Sequence, residues 1–273
     1  MLRVLLFFIA LLGNLSANSA RQLTGAWAEM KPLYGLQNGK VVGIDAEISR
    51  LVFTSAGFKL NFDINDSPNW YDSVESVRLG KRDFIGAITK TAQRAKWGHF
   101  SIPYRLERNV IITKKDFALK HQINIKKITD FIKSSRANNF KIGTSRGIAY
   151  ASSRIDSFVA NPGTAEIKVF QDVAECLAKL SAGEVDMIIA ERDVANFELR
   201  NNPKLDERIF REFFMSDANA YQHFIFNKEK FSAEQIEKIN NSIEKNRKAI
   251  FEIILNLTKS KFNFEEHNVR NSN

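Results

Sequence analysis

Two stretches about a hundred residues apart repeat one short pattern, and that repeat constrains the fold more than any other part of the chain. Gly80-Lys-Arg-Asp83 runs into the apolar segment 84–88, and Gly183-Glu-Val-Asp186 runs into the apolar segment 187–190. Each copy reads as a helix stop followed by a strand covered on both faces, as in a parallel sheet.

The flanking sequence extends both copies into α/β units. Ahead of the first, Leu36-Gln-Asn-Gly-Lys40 holds an Asn-Gly turn that makes a hairpin tip. Asp45 stands where a helix cap belongs, Ile48, Leu51, Val52 and Ser55 share one helical face, and Gly57 closes that helix. Phe58, Leu60, Phe62 and Ile64 alternate as a strand, and a helix is predicted over 70–79. Ahead of the second copy come a strand over 140–144, a turn at Gly147, a helix near 150–159, a strand over 166–170, and a helix over 172–180 opened by Asp172-x-x-Glu175. A chain of this length fills one large domain or two modest ones. Two similar units favour two lobes: 21–112 with 213–258 as the first, and 113–212 as the second. The first crossing follows Val110-Ile-Ile-Thr113, and a return crossing is placed over 211–216. Beyond it are predicted a strand over 221–226, a helix capped by Ser232-x-x-Gln235, and a closing helix containing Ala249 to Leu257. Residues 259–273 are polar and read as a loose tail.

Residues 1–20 have the form of a secretory signal, with Arg3, an apolar run from Val4 to Leu12, and Ala17-Asn-Ser-Ala20 as the small-residue cleavage site. The run is too short to span a bilayer, which takes about 20 apolar residues. A periplasmic location is therefore expected, with no lipid-bearing cysteine near the cut. Cys176 is the single cysteine, so no internal disulfide forms, and it reads as a small core residue. The formal charge of +9 would suggest nucleic acid in a cytosolic protein, but export and the interleaving of acidic with basic residues exclude that partner. His99, His121, His223 and His267 show no metal spacing, and no cofactor is implied.

The loop after the 84–88 strand carries Thr91-Ala-Gln-Arg94. Ligands of open α/β sheets bind at that carboxyl edge, and a guanidinium fork matches two carboxylate oxygens. A surface ion pair is the competing role for Arg94.

In this order and spacing, Lys31-Pro-Leu-Tyr34, Asn38-Gly-Lys-Val-Val-Gly-Ile-Asp45, Gly80-x-x-Asp83, Thr91-Ala-Gln-Arg94, Phe100-Ser-Ile-Pro-Tyr104 and Gly183-Glu-Val-Asp186 make the chain resemble the extracellular solute-binding proteins of family 3, from about Trp27 to Leu257. The resemblance implies an α/β, two-lobed type II periplasmic-binding fold with a central cleft and two hinge crossings, closing on its ligand. It gives Arg94 the ligand α-carboxylate, Ile88 and Thr89 backbone and hydroxyl contacts in the same loop as Thr91, Glu191 the α-ammonium, and Tyr34 a place in the side-chain pocket. For Glu191, Arg192 or a helix start are competing claimants. Relatives often follow the glycine of the second-lobe helix start with Thr or Ser; here Gly147 is followed by Ile148, which leaves backbone donors without the hydroxyl. Arg146 or Tyr150 then reshapes that side of the site. Trp27, Trp70 and Trp97 are more often core in a protein of this size, and Trp70 is the best candidate among them to contact ligand, because it begins a helix at the cleft edge.

The function implied is capture of a small anionic or zwitterionic ligand, an amino acid or relative, for delivery to a membrane permease of an ABC importer. The protein is expected to be a monomer and not an enzyme. Two alternatives stay open: a ligand sensor without a permease, and a dehydratase-like enzyme on the same scaffold, which would need an acid or base in the cleft.

Overall fold

The computed structural model describes residues 21–64, 69–150 and 153–258. The signal-like segment and the polar tail read from the sequence lie outside the described residues. In chain order the elements are β1 (Gln22–Gly25), β2 (Gly35–Gln37), β3 (Lys40–Val42), α1 (Ile44–Ser55), β4 (Lys59–Phe62), α2 (Trp70–Arg78), β5 (Phe84–Thr89), α3 (Ala92–Ala95), β6 (Gly98–Phe100) and β7 (Arg105–Lys114). They continue with α4 (Lys115–Lys120), α5 (Ile128–Ala137), β8 (Lys141–Ser145), α6 (Ser153–Ala160), β9 (Glu166–Phe170), α7 (Val173–Ala182), β10 (Met187–Glu191), α8 (Arg192–Asn201), β11 (Phe210–Asn227), α9 (Ala233–Lys245) and α10 (Arg247–Thr258).

Among the described residues, nine strands form one sheet in the order β4-β1-β5-β11-β7-β10-β8-β9, with β6 on β11. The order has an internal symmetry. In one half β1 pairs in parallel with β4 and β5, and β11 runs antiparallel beside β5. In the other, β8 pairs in parallel with β9 and β10, and β7 runs antiparallel beside β10. The repeated Gly-x-x-Asp segments lead into β5 and β10, the strands that flank this central pair.

β7 and β11 pair with each other on both sides of an irregularity between Phe214 and Asn219, so the two halves are joined by paired strands. The sequence expectation separated a crossing over 211–216 from a strand over 221–226; both belong to the single strand β11. Polar residues between the two apolar runs hid the continuity. β7 likewise starts earlier than its apolar run, because Arg105, Glu107 and Asn109 are buried polar residues.

The α1 start differs from expectation. Gly43 precedes the helix at φ 119°, where a Cβ would sit 2.5 Å from the Leu33 carbonyl oxygen, so only glycine fits. Asp45 lies inside the first turn, fully buried, and takes the Tyr104 hydroxyl and Arg105 Nε, the latter at 3.0 Å. The other caps match their sequence signals more closely. Asp172 accepts from the Glu175 amide at 2.8 Å, although the Glu175 carboxylate turns to the Gln171 amide instead of closing a reciprocal box. Ser232 and Gln235 do cap each other. Asn38 and Gly39, both at positive φ, make the β2-β3 turn.

Two apolar clusters form the core, and the first reaches from Phe53 to Leu177 and Ile188 in the other half. In the first, Phe53 packs on Phe84 and Phe224 with ring centroids 4.3 and 5.1 Å apart. The second centres on Phe131 and Phe158, 5.3 Å apart, with Ile142 and Met187. Each such ring contributes about 1.5–3 kcal/mol by leaving water. Cys176 is a fully buried core residue, its thiol pushed up to about 12 by burial, which leaves it unreactive.

Candidate functional site

The carboxyl ends of β5 and β10 face each other across the crossing strands, and the site is built between them. β5 is buried until Thr89, after which the chain turns through Lys90 into the short helix α3. Thr91 caps that helix: its Oγ1 accepts from the Arg94 amide at 3.2 Å, which fixes the Arg94 backbone beneath the strand end. The guanidinium then reaches across the cleft. Arg94 Nη1 donates to the Thr89 carbonyl at 2.9 Å and Nη2 to the Gly147 carbonyl at 3.1 Å, one from each half. Desolvation lowers its pKa to about 10, opposed by the more distant negative charges of Asp156 and Glu107.

Opposite, β10 ends at Glu191, whose Oε2 accepts from the Val194 amide at 2.7 Å and so caps α8. The helix start does claim one oxygen of this carboxylate. Arg192 does not, since it pairs with Glu212 at 2.9 Å. Burial raises the Glu191 pKa, and the neighbouring charges of Asp193 and Glu107 raise it further.

Glu107 supplies a second carboxylate from the crossing strand β7. It is 8% exposed, and burial raises its pKa to about 7 despite the Arg105 charge. Its nearest cation is Arg105 Nη2 at 3.7 Å, but that guanidinium belongs mainly to Asp45, at 3.0 Å.

Arg94, Glu107 and Glu191 line one cavity with Trp70, Thr89, Tyr150 and Ile148. Its volume is about 30 Å³, room for about two waters. Outside it a depression of about 460 Å³ shares Met30, Trp70, Ile148 and Val194 as walls and carries Glu29, Asp172, Glu198 and Arg146 at its rim. Trp70 spans both spaces, is 7% exposed, and its indole N–H has no partner among the described residues. Trp27, by contrast, is a core residue whose N–H reaches the Asp63 carbonyl at 2.7 Å.

Of the residues singled out from sequence, Trp70, Thr89, Arg94, Ile148 and Glu191 meet in the inner cavity. Tyr34, Ile88, Thr91 and Gly147 do not line it. Tyr34 and Ile88 are fully buried in the core, and the Tyr34 hydroxyl accepts from the Gly86 amide at 3.2 Å. That approach needs Gly86, since a Cβ there would lie 2.7 Å from the same hydroxyl. Thr91 is spent on its cap and Gly147 offers Arg94 its carbonyl. Met30 and Leu33 take the wall position foreseen for Tyr34. Glu107 was missed; the available signal was the alternation Arg105, Glu107, Asn109, three polar residues on one face of a strand whose next residues are wholly apolar.

With this geometry in place, comparison with known proteins is informative. The model of bacterial extracellular solute-binding proteins, family 3, matches residues 24–147. No curated protein matches the sequence. An ancestral arginine-binding protein bound to arginine superposes with a TM-score of 0.69 at 23% identity, covering 88% of this chain and 99% of that one. The amino acid ABC transporter substrate-binding protein AbpA from Streptococcus pneumoniae, bound to L-arginine, gives 0.67 at 20% identity, covering 89% and 96%. A histidine kinase sensor domain with similarity to periplasmic binding proteins gives 0.69 at 17% identity, covering 87% and 95%. The resemblance read from the sequence markers is borne out: the chain carries the family 3 pattern over residues 24–147 and has the mixed α/β, type II periplasmic-binding fold.

Proposed function

We propose that this protein is an exported receptor of the periplasm that captures a small carboxylate-bearing zwitterion, an amino acid or close relative, and presents it to the permease of an ABC importer. The observation that carries this reading is the state of Arg94. Its fork is turned into a cleft and bonds two carbonyl oxygens, those of Thr89 and Gly147, and among the described residues no carboxylate lies in hydrogen-bond reach. A charged acceptor is the stronger partner for a guanidinium, and a ligand carboxylate can displace the weaker carbonyl contact when the cleft opens and recloses. Glu191 keeps one oxygen for a ligand ammonium while the other caps α8. The division into lobes 21–112 with 213–258 and 113–212 fits hinge motion about β7 and β11. Trp70 and Ile148 supply apolar walls.

The protein acts in this reading by binding and release. A thermal-shift screen of amino acids and small carboxylates on the mature chain tests it: at least one is expected to raise the melting temperature by several degrees, and Arg94→Ala is expected to abolish that shift while leaving the protein folded. A folded protein with no response to the whole panel would argue against it.

The likeness to a histidine kinase sensor domain supports a second reading, in which the same capture reports to a membrane partner other than a permease. Pull-down of the ligand-loaded protein with solubilised membrane proteins separates the two. The dehydratase-like alternative asks for a proton carrier in the cleft, and Glu107 is placed to be one; product formation from a cyclic carboxylic acid would favour it.

A further inference from the structure

Taken as a whole this chain is strongly basic, with a net charge of +9, yet its cleft is acidic. The inner cavity presents one cation, Arg94, against two carboxylates, Glu107 and Glu191. At the rim Arg146 stands against Glu29, Asp172 and Glu198, with Lys31 pairing Glu29 at 2.7 Å. Low-dielectric walls concentrate such a local excess, so the cleft attracts positive charge although the molecule repels it.

The two inner carboxylates are paired by the sheet. In the antiparallel β7-β10 register Glu191 lies opposite Asn109. Glu107 is two residues along β7 on the same face, so it is the diagonal neighbour of Glu191, about 7–8 Å away at the backbone. An N–H cation fits between carboxylates so spaced. Among the described residues neither has a dedicated counter-ion: Glu191 has the Val194 amide, and Glu107 has the outer edge of Arg105, which Asp45 already holds. Independently, the Trp70 indole N–H is buried on the same cavity and has no partner among the described residues, so it is a donor free for a ligand.

We infer that Glu107 is a specificity-determining residue of the cleft, selecting ligands that carry a second cationic group beyond the α-ammonium. This rests on the receptor reading above. Arg94 takes the ligand carboxylate, Glu191 the α-ammonium and Glu107 the further cation, so that a ligand of net charge +1 neutralises the set. In the empty cleft a proton takes the place of that cation. Burial raises the Glu107 pKa to about 7, which lets the proton stay there. The charged and titratable groups facing it are Arg94 from α3, Arg105 from its own strand, Asp45 from α1, Glu191 and Asp193 at the β10-α8 junction, and Tyr150 ahead of α6.

The experiment is calorimetric titration of the full mature chain with L-lysine, L-norleucine and L-glutamine, which match in backbone and differ at the side-chain end. Lysine is expected to bind at least tenfold more tightly than norleucine or glutamine. Glu107→Gln is expected to weaken lysine most and so bring the three within about threefold, and Arg94→Ala to lose all three. Should Glu107→Gln not fold, the natural protein still decides: Glu191 makes binding of every probe weaken as pH falls, and below about 7 lysine affinity is expected to fall by close to a further tenfold per pH unit relative to norleucine. Equal or tighter binding of glutamine than lysine overturns the inference and leaves the receptor reading standing. So does a lysine preference that survives Glu107→Gln. No binding of any probe to folded protein overturns both together.

Discussion

Arg94 and Arg105 stand eleven residues apart in the chain, and the contrast between them separates what holds this molecule together from what equips it to act. Arg105 is 4% exposed and locked by Asp45, with Nε and Nη2 each 3.0 Å from a carboxylate oxygen. The Tyr104 hydroxyl reaches the same carboxylate and the Ala87 amide, and tyrosines 34 and 104 together brace β5. The Asp45 charge holds the Arg105 pKa above its ordinary value in spite of burial. Arg94 has the opposite balance: desolvation dominates, its pKa falls, and carbonyl oxygens are its hydrogen-bond partners. One guanidinium is held by a buried carboxylate of the folded chain itself, and the other is left with capacity for a guest.

The largest expected effect comes from breaking the pair of Arg105 and Asp45. Arg105→Ala strands the buried Asp45 carboxylate and is expected to cost about 3–5 kcal/mol, seen as a fall of roughly 10 °C in melting temperature. Arg94→Ala is expected to change unliganded stability by about 1 kcal/mol or less. Equal losses in the two variants, measured by urea unfolding without ligand, would erase the distinction between them.

An intermediate effect follows from the carboxylate beside these two arginines. Glu107 has a folded pKa near 7, above its ordinary 4.5, so the native state holds the proton more tightly than the unfolded chain. Its contribution is present at low pH and lost as pH rises through about 7. Between pH 5 and 7.5 the unliganded protein is therefore expected to lose about 1–3 kcal/mol of stability from this group, and Glu191, shifted the same way, adds to the slope. Glu107→Gln should flatten the profile; an unchanged slope would place the titration elsewhere.

The smallest effect concerns how Arg94 is aimed. Thr91→Val removes the hydroxyl that accepts the Arg94 amide. A loss of about 1 kcal/mol or less in stability, together with a several-fold loss in ligand affinity, is expected. Unchanged affinity would show that α3 needs no cap to present its arginine.

How much of this was legible in the sequence depends on whether a signal was local. The helix stops at Gly80 and Gly183, the Asn38-Gly39 turn and the Ser232 cap are local chemistry, and each stands where the residues put it. Arg94, Trp70, Thr89 and Glu191 were legible because they sit at strand ends or helix starts, where family pattern and topology agree. The misreadings came from residues whose partners lie far along the chain. Asp45 has the form of a cap but is consumed by Tyr104 and Arg105, some sixty residues on. Tyr34 looked like a pocket wall, yet its hydroxyl serves Gly86 in the core. Glu107 was not singled out in R-L-E-R-N, because nothing nearby in sequence announces that Asp45, Glu191 and Arg94 surround it. The irregular middle of β11 was hidden for the same reason, its pairing with β7 being entirely long-range.

The most direct measurement is a crystal structure of the protein grown with the strongest hit of the thermal-shift screen. The Arg94 guanidinium is expected to have left the Gly147 carbonyl and to make paired hydrogen bonds with a ligand carboxylate inside the Trp70-lined cavity. A ligand bound elsewhere, with Arg94 still on Gly147, would contradict this role.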